Sequence, residues 1–350
     1  MKTEMPSIAL IFGGRGFEHD VSVRGAEYVF PLIDTSLYRK IPIYIKKNGT
    51  WVTPTLRDLP CCPRALADEA VPTEECFPAF RNSVCGLQAE SAFLPIVSAF
   101  PLLHGDFGED GVVQGALENA RIPYVGCNTL TSAVTRDKCY VKLIAKHLGI
   151  PTARWVYVTE ACAESVENAE RTLGYPMFVK PARLGSSVGA GIAKCRVELT
   201  KALDRALALG SGRALVEEFV DIDKELECGY YSSKSKELFT SIGEISCENG
   251  FYDYETKYFS EAARVSSRAP LTEAECAKIH GYASRLARYL GLCGLSRIDF
   301  FRARDGGIYF NEINTMPGFT ETSLYPRLVS EAGISPKELI NRLIGDAGNI

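Results

Sequence analysis

The sequence contains a possible metal-binding hairpin near its C-terminal end. The Asp-Gly dipeptide at 305–306 is typical of a two-residue turn between antiparallel strands. A turn there would pair Asp299 with Glu312 and Arg297 with Asn314. Because successive side chains of a strand point to opposite faces, these four would project from one face. The pattern therefore predicts two acids, an amide and a guanidinium gathered at one surface.

The two acids of this hairpin would repel each other unless a cation lies between them, since directly opposed Cβ atoms are about 5 Å apart. Carboxylate and amide oxygens suit Mg²⁺ or Mn²⁺, and Mg²⁺ commonly shares its ligands with substrate phosphates. The hairpin therefore predicts metal ligands at Asp299, Glu312 and Asn314. The alternative is an exposed polar face with an Arg297–Glu312 ion pair. A three-residue turn would shift the pairing by one residue.

A loop rich in glycine and serine follows another candidate residue, Lys180. Residues 180–191 have the sequence KPARLGSSVGAG and lie between two predicted strands. This order differs from a Walker A loop, in which GxxxxGK[ST] leads from a strand into a helix. Backbone N–H groups of such a loop can still bind phosphate, with the lysine beside them. An ordinary turn is the alternative, because the motif alone is a weak signal.

Two further candidates follow strands in the N-terminal part. Glu18 comes after the Gly-Gly-Arg-Gly sequence at 13–16, whose spacing differs from the GxGxxG of dinucleotide-binding loops. The second strand continues into lysines at 46–47, where a ribose-binding acid would be expected, and this argues against NAD. We therefore expect Glu18 to face a small ligand. His104 precedes a glycine-rich acidic loop and is either structural or a carboxylate-binding group.

Two more lysines could neutralise an anionic ligand. Lys138 lies on a predicted helix over residues 131–148, where an ordinary solvated helix face is the alternative. Lys257 lies in the aromatic and charged stretch 251–258, and the residues after it show no secondary-structure pattern. This stretch therefore predicts a lid that closes over a ligand.

Composition excludes several classes of protein. The chain has 350 residues, of which 46% are apolar and 23% charged, close to the averages of soluble globular proteins. A formal net charge of −4 gives no sequence-wide basic field for nucleic acid or anionic lipid. No apolar run is long enough for a signal peptide or a spanning helix. The 12 cysteines lack zinc-ligand spacing, so we expect reduced thiols in the cytoplasm. The charge and the short apolar runs together predict no nucleic-acid or membrane partner.

Strands and helices alternate along most of the chain, which predicts an α/β fold. We expect three units, at residues 1–126, 127–222 and 223–350. Residues 54–90 show no clean period and are expected to form a variable connection. Residues 92–103 are apolar and are expected to form a strand.

Seven ordered motifs connect these candidate residues. They are GGRGFEHDVS at 13–22, LHGDFGEDG at 103–111, RDK at 136–138, KPARLGSSVG at 180–189, FYDYETKY at 251–258, SRIDFF at 296–301 and NEINTMPGFT at 311–320. In this order and at this spacing they resemble the D-alanine–D-alanine ligases of the ATP-grasp superfamily, over essentially the whole chain. The related resistance ligases that make D-Ala–D-Ser or D-Ala–D-lactate share most of the set.

The resemblance implies a three-domain ATP-grasp fold with ATP between the central and C-terminal domains. It implies ATP-dependent ligation of two D-alanines through a D-alanyl phosphate, for peptidoglycan precursor synthesis. The cofactors would be ATP and two Mg²⁺ or Mn²⁺, and the protein would be a cytoplasmic homodimer. A D-Ala–D-Ser or D-Ala–D-lactate ligase is the alternative. An inactive nucleotide-binding sensor would be expected to lack a metal ligand or a lysine, and none is missing.

The resemblance also assigns residues to ATP and to metal. The ATP-binding residues would be Lys138, Lys180, Ser187, Glu217, Glu218, Phe219, Val220, Glu225 and Lys257. The three lysines would contact phosphates, and Glu217 and Glu225 would hold the adenine and ribose regions. The metal ligands would be Asp299, Glu312 and Asn314, in agreement with the hairpin pairing.

A separate group of residues would bind the first D-alanine. By resemblance, Glu18 would take its amine and His104 would lie on its carboxylate side. Ser186 and Tyr258 would link to Glu18 when the lid closes. Tyr258 next to Lys257 is similar to the dipeptide-forming type of ligase.

The remaining assignments concern the reacting carbonyl and the second amino acid. The Arg297 side chain and the Gly318 backbone N–H would stabilise the oxyanion. Ser323 and Leu324 would receive the second amino acid.

Overall fold

A computed structural model describes residues 5–59, 61–210, 212–234, 236–247 and 263–347. The described residues form three β-sheets with α-helices packed against them, so the predicted α/β class is confirmed. The predicted lid at 251–258, with Lys257 and Tyr258, lies outside the described residues.

The first sheet has seven strands and a parallel centre. Its strands are β1 (Ser7–Gly13), β2 (Arg39–Ile45), β3 (Trp51–Pro54), β4 (Thr73–Arg81), β5 (Val84–Ala89), β6 (Phe93–Pro95) and β7 (Ser98–Pro101). Their order is β6-β5-β4-β3-β2-β1-β7. Strand β1 pairs in parallel with β2 and β7, and the other pairs are antiparallel. Helices α1 (His19–Val29), α2 (Pro63–Ala67) and α3 (Val112–Asn119) accompany this sheet.

The expectation of a variable connection at 54–90 is wrong. Two long strands, β4 and β5, occupy much of this region and extend the sheet. Much of β4 is exposed or only half-buried, so its sequence lacks the clean apolar alternation of a strand with one buried face. The single strand expected over 92–103 is instead two short strands, β6 and β7.

The second sheet has four antiparallel strands. They are β8 (Trp155–Val158), β9 (Met177–Pro181), β10 (Gly191–Ala193) and β11 (Ala214–Glu218), in the order β10-β9-β11-β8. Helices α6 (Ala163–Leu173) and α7 (Arg196–Leu209) pack against it. Helices α4 (Thr129–Arg136) and α5 (Lys138–His147) precede it along the chain.

The single helix expected over 131–148 is also wrong, because two helices meet at Asp137. This residue has an extended backbone, and its carboxylate accepts hydrogen bonds from the backbone N–H groups of Cys139 (3.0 Å) and Tyr140 (3.4 Å). An acid in this position caps the start of a new helix. Lys138 is therefore the first residue of α5, and it is buried rather than on a solvated face.

The third sheet has five antiparallel strands, and its outer pair is the predicted hairpin. The strands are β12 (Ile222–Ser232), β13 (Glu237–Cys247), β14 (Ala263–Ser266), β15 (Leu295–Ala303) and β16 (Ile308–Asn314), in the order β14-β13-β12-β15-β16. The helices of this region are α8 (Glu273–Leu290), α9 (Leu324–Glu331) and α10 (Pro336–Asp346).

The hairpin register matches the prediction where the site residues lie, although the turn does not. Asp299 pairs with Glu312, and Arg297 pairs with Asn314. Toward the turn the register shifts by one, so that Phe300 pairs with Phe310. The turn is longer than two residues, and a β-bulge between the two segments restores the predicted pairing.

One apolar core joins the first sheet to the C-terminal helices. Phe12 and Phe100 of the sheet belong to the same buried cluster as Tyr325 of α9 and Leu343 of α10. This packing holds α1 against the segment that leads from β16 into α9. Among the described residues no helix is long and apolar enough to cross a membrane, and the described cysteines are free thiols.

Candidate active site

Two cavities meet at the third sheet. Cavity A, of about 490 Å³, lies between β9, the turn at 184–188, the segment 217–225 and the hairpin. Cavity B, of about 930 Å³, lies between α1, the segment 316–324 and β12. Glu227 and Arg297 line both cavities, so they mark the junction.

The structure brings the site residues predicted from the sequence together in the walls of these cavities. Cavity A is lined by Lys138, Lys180, Ser186, Ser187, Glu217, Glu218, Phe219, Val220, Glu225, Arg297, Asp299 and Glu312. Cavity B is lined by Glu18, His104, Arg297, Asn314, Gly318, Ser323 and Leu324. Lys257 and Tyr258 lie outside the described residues.

The guanidinium of Arg297 is held between two acids at the junction. Its Nε and Nη2 atoms donate to the two oxygens of Asp299, at 2.8 and 2.7 Å. Its Nε atom also lies 3.2 Å from Oε1 of Glu227. Burial opposes its charge, but these acids outweigh that effect and raise the pKa of Arg297 well above its usual value. The guanidinium therefore stays charged.

The hairpin acids have the chemistry that a divalent cation needs. Asp299 and Glu312 are neighbours across the ladder, and the Asn314 amide donates to Oδ2 of Asp299 at 3.0 Å. Two carboxylates and an amide supply hard oxygen ligands, and water or phosphate oxygens usually complete the shell of Mg²⁺. In the described residues no three His, Cys, Asp or Glu side chains are grouped to hold an ion. The hairpin therefore fits an Mg²⁺ that is shared with phosphate.

Lys138 connects the hairpin with the glycine-rich turn. Its Nζ atom donates to the carbonyl oxygen of Leu184 at 2.7 Å and lies 3.0 Å from Oε2 of Glu312. Burial lowers the pKa of Lys138, and the nearby Glu312 opposes this shift. The lysine thus balances one hairpin carboxylate at the wall of cavity A.

A buried charge cluster supports the second lysine of the cavity. The carboxylate of Glu217 lies between Lys142 Nζ (2.6 Å) and Lys180 Nζ (2.7 Å). Burial alone would raise the pKa of Glu217, but the two lysines hold it well below its usual range. Lys180 also donates to Oδ1 of Asn311 at 3.1 Å. Lys180 is therefore fixed from two sides before any ligand binds.

A hydrogen bond connects the glycine-rich turn with the residue that precedes α1. The hydroxyl of Ser186 donates to Oε1 of Glu18 at 2.6 Å. Ser186 and Ser187 have φ values of 53° and 56°, in the left-handed region that side chains rarely adopt. Two such residues in succession give the turn the shape that brings Ser186 to Glu18.

Cavity B contains a buried histidine with one ring nitrogen engaged. His104 Nδ1 lies 3.0 Å from the carbonyl oxygen of Met316, and Glu109 Oε1 accepts from the Met316 N–H at 3.2 Å. The Nδ1 atom must donate to that carbonyl, which leaves Nε2 as the ring nitrogen that a ligand can reach. Nε2 has no hydrogen-bond partner among the described residues. It can therefore contact a polar group of a ligand.

The other end of cavity B is shaped by the loop before α9. Oγ of Ser323 accepts from the Thr320 N–H at 2.9 Å. A Cβ atom on Gly318 would lie 3.1 Å from the same oxygen, so the loop has little room for a side chain there. Leu324 packs on Ile245 and Leu328, which makes this wall apolar.

Sequence reasoning missed several residues of the site. Glu227 is two positions from Glu225 on one strand, and this spacing on a shared face was an available signal. Asn311 faces cavity A only because of the β-bulge, which the sequence does not indicate. Lys142, which pairs with Glu217, lies one helical turn after Lys138.

Comparisons with known proteins agree with this geometry. The sequence family described as D-ala D-ala ligase N-terminus matches residues 7–127, and D-ala D-ala ligase C-terminus matches residues 144–345. The chain belongs to the D-alanine–D-alanine ligase family. This family consists of ATP-dependent ligases that act on small molecules, and the resemblance inferred from the motifs is confirmed.

Relatives and solved structures cover nearly all of the chain. The D-alanine–D-alanine ligase of Ruminiclostridium cellulolyticum is 40% identical, over 96% of this chain and 94% of that protein. The VanG D-Ala:D-Ser ligase of Enterococcus faecalis has a TM-score of 0.87 and 32% identity, over 98% of this chain and 99% of that one. The D-alanyl-alanine synthetase A of Vibrio cholerae has a TM-score of 0.85 and 31% identity, over 99% of each chain. The ATP-grasp fold expected for the chain is therefore confirmed.

Proposed function

We propose that this protein joins two D-alanines to D-alanyl-D-alanine, with cleavage of ATP to ADP and phosphate, for peptidoglycan precursor synthesis. The observation that carries the proposal is the meeting of two cavities at Arg297. Cavity A has the lysines and acids that suit a nucleoside triphosphate with its cations, and cavity B has acids, arginines and a histidine that suit the charged groups of amino acids. A phosphoryl group and a substrate carboxylate can therefore react at the junction.

In the first step, a carboxylate oxygen of one D-alanine attacks the γ-phosphorus of ATP. The bond from that phosphorus to the β,γ-bridging oxygen breaks, which gives a D-alanyl phosphate and ADP. Lys138 and Lys180 would offset the phosphate charge in cavity A, together with Lys257. Preorganised charges of this kind stabilise a transition state more effectively than water does.

The remaining cavity A residues would bind the rest of the nucleotide. Glu217 and Glu225 would hold the adenine and ribose regions, and the Ser187 turn would lie over the phosphates. The segment from Glu218 through Phe219 to Val220 would contact the base. Support comes from the position of all these residues in one cavity wall.

We propose Asp299, Glu312 and Asn314 as the ligands of two Mg²⁺ or Mn²⁺ ions. Bound divalent cations would polarise phosphoryl oxygens and neutralise charge that develops on them. The oxygen-donor set of the hairpin supports this assignment.

In the second step, the amine of the second D-alanine attacks the acyl carbon, and inorganic phosphate leaves. This amine must first lose a proton, which passes to solvent. Arg297 and the Gly318 N–H would bind the oxyanion of the tetrahedral intermediate. Ser323 and Leu324 would receive the second amino acid.

The first D-alanine would be held at the N-terminal side of cavity B. Glu18 would bind its ammonium group, with Ser186 fixing the carboxylate of Glu18, and with Tyr258 joining this network. His104 would lie on the carboxylate side of the substrate. The Ser186–Glu18 hydrogen bond supports this arrangement.

D-Serine is the second candidate for the acceptor, because the VanG D-Ala:D-Ser ligase is among the structures most similar to this one. We further propose that the protein is a cytoplasmic homodimer, as the resemblance implies, with domains at 1–126, 127–222 and 223–350. Light scattering of the purified protein tests the dimer.

Phosphate release tests the proposed function. The assay uses ATP and Mg²⁺ with D-alanine alone, D-alanine plus D-serine, D-alanine plus D-lactate, and L-alanine as the stereochemical control. We expect phosphate release with D-alanine alone and D-alanyl-D-alanine as the product by mass spectrometry. Turnover only with D-serine present would mean that D-serine, and not D-alanine, is the acceptor. The absence of turnover in every arm would refute the ligase function.

A further inference from the structure

Three acids lie in a row across the third sheet, and the proposed function uses only two of them. Glu227 of β12 pairs with Asp299 of β15, and Asp299 pairs with Glu312 of β16. Side chains at such positions have Cβ atoms about 5 Å apart, and like charges there are destabilising. Glu227 is 5% exposed and lines both cavities. The position of a buried Glu227 opposite another acid therefore calls for a functional explanation.

The row does not form a cage for one ion. Among the residues that the structure describes, no three acids, histidines or cysteines are grouped around a common point. Glu227 instead faces the guanidinium of Arg297, with Oε1 at 3.2 Å from Nε. Arg297 is therefore shared between Glu227 and Asp299.

Asp299 has little capacity left for a cation. Its Oδ2 atom accepts from Arg297 Nη2 at 2.7 Å and from Asn314 Nδ2 at 3.0 Å, while Oδ1 accepts from Arg297 Nε at 2.8 Å. A carboxylate has about four lone-pair positions in total. A cation that binds Asp299 must therefore displace donors, and Arg297 occupies two of the three filled positions.

We propose that Glu227 is a positioning residue that keeps Arg297 at the junction of the two cavities when Asp299 turns its oxygens to a cation. The Nε atom already contacts both acids, so the guanidinium passes from one to the other by a small shift. Without Glu227, a guanidinium released by Asp299 would lose the second of the two acids with which the structure pairs it. This role of Glu227 depends on the proposed function, because that function supplies both the cation at Asp299 and the use of Arg297 in the reaction.

The same sheet offers a matched control. Glu244 of β13 forms an ion pair of 2.9 Å with Lys224 of β12, and its side chain is 14% exposed. It lines neither cavity. The variants Glu227→Gln and Glu244→Gln therefore remove the same charge from neighbouring strands, and only the first touches Arg297.

Steady-state kinetics give the first test. We expect Glu227→Gln to lower kcat by about 10- to 100-fold, the usual effect of losing a partner that orients a functional group. The KM for ATP should stay within about twofold, Glu227→Asp should recover part of kcat, and Glu244→Gln should resemble wild type. Equal losses in the Glu227→Gln and Glu244→Gln variants would mean that Glu227 serves only the stability of the sheet.

Side-chain NMR gives a second test that needs no turnover. The Arg297 Nε–H signal of ¹⁵N-arginine-labelled protein is identified by its loss in Arg297→Lys. In wild type we expect the Nε–H to be protected from exchange both without metal and with Mg²⁺ and ADP. In Glu227→Gln the protection should persist without metal and fall at least about tenfold when Mg²⁺ and ADP are added. Undiminished protection in that variant would overturn the proposal.

The two tests separate this role from the proposed function. If wild type fails to turn over D-alanine, the ligase proposal fails, while the exchange experiment still decides whether Glu227 holds Arg297. If wild type is active and the exchange of Glu227→Gln is unaffected by Mg²⁺ and ADP, only the role of Glu227 is refuted.

Discussion

Cavity A and cavity B differ in how their polar groups are satisfied. In cavity A the charges are paired with one another, as in the contacts of Lys138 with Glu312 and of Lys180 with Glu217. Cavity B is almost twice as large, and the His104 Nε2 atom in its wall has no hydrogen-bond partner among the described residues. The lysines described in cavity A are held by acids, whereas cavity B presents a histidine nitrogen to a ligand.

This difference assigns different tasks to the two cavities. Fixed lysines and acids suit a ligand of constant charge and shape, such as a nucleotide triphosphate, because they need no reorganisation when it binds. Cavity B is lined by acids, arginines and a histidine together with the apolar Leu324, and these groups suit the ammonium, carboxylate and side chain of amino acids. We therefore expect substitutions in cavity A to affect ATP and rate, and substitutions in cavity B to affect the amino acids.

The largest expected effect is the loss of turnover in Glu312→Gln. The change removes a proposed metal ligand and the partner of Lys138. Metal stabilisation is worth several kcal/mol, and about 1.4 kcal/mol is tenfold, so kcat should fall by about 10³-fold or more. Circular dichroism should show an intact fold. Asp305→Asn, in the exposed turn of the same hairpin, is the control. Near-normal activity at low Mg²⁺ would contradict the metal assignment.

Glu217→Gln should break the internal pairing of cavity A and reduce stability. It leaves Lys142 and Lys180 without their shared carboxylate, and removal of one partner from a buried ion pair costs about 3–5 kcal/mol. The free energy of unfolding, measured by urea titration at pH 7, should therefore fall by about 3–5 kcal/mol. An unchanged value would mean that the cluster contributes nothing to folding.

The pH dependence of that loss has a defined sign. The folded-state pKa of Glu217 lies below its unfolded value of about 4.3, so its contribution is fully present above that pH. It is lost as the pH falls through the folded-state pKa. The difference in unfolding free energy between wild type and Glu217→Gln should therefore shrink below about pH 4.3. If this difference in unfolding free energy instead grew as the pH fell, the folded-state pKa of Glu217 would not be lowered.

Two adjacent serines offer a sharper comparison of the cavities. Ser186 donates to Glu18, whereas Ser187 is a proposed ATP contact in the wall of cavity A. A hydrogen bond to a charged group is worth about 1.5–3 kcal/mol, so Ser186→Ala should lower kcat/KM for D-alanine about tenfold or more. Ser187→Ala should instead raise the KM for ATP. The same pattern of constants in both variants would show that the cavities are not separate.

The smallest expected effect concerns Asn311. Its Oδ1 atom accepts from Lys180 at 3.1 Å, one net hydrogen bond worth about 0.5–1.5 kcal/mol. Asn311→Ala should therefore raise the KM for ATP by about two- to tenfold, while Asn311→Asp, which keeps an acceptor, should not. A raised KM for D-alanine instead of ATP would show that Asn311 acts on the ligand of cavity B and not on that of cavity A.

The hairpin could be predicted because its information is local. Alternation of side chains along two neighbouring strands determines that Asp299 and Glu312 share a face, and the predicted register is correct at these residues. The predicted turn was wrong, however, and the β-bulge that compensates for it has no signature in the sequence. Asn311 was missed for this reason.

Other parts of the site depend on contacts between distant segments. The break at Asp137 was missed because the apolar stripe continues through both helices, although an aspartate is a common helix cap. The burial of Lys142 depends on Glu217, which lies on a strand far along the sequence. Strand β4 was missed because most of its residues are exposed or half-buried and few contribute to a core.

The central claim is that a phosphoryl group from cavity A meets a carboxylate from cavity B. D-Alanine labelled with ¹⁸O in its carboxylate tests this directly, with mass spectrometry of the phosphate released from ATP. Attack of the carboxylate on the γ-phosphorus predicts one ¹⁸O atom transferred to phosphate for each dipeptide formed. Released phosphate without ¹⁸O, alongside normal dipeptide formation, would contradict the claim.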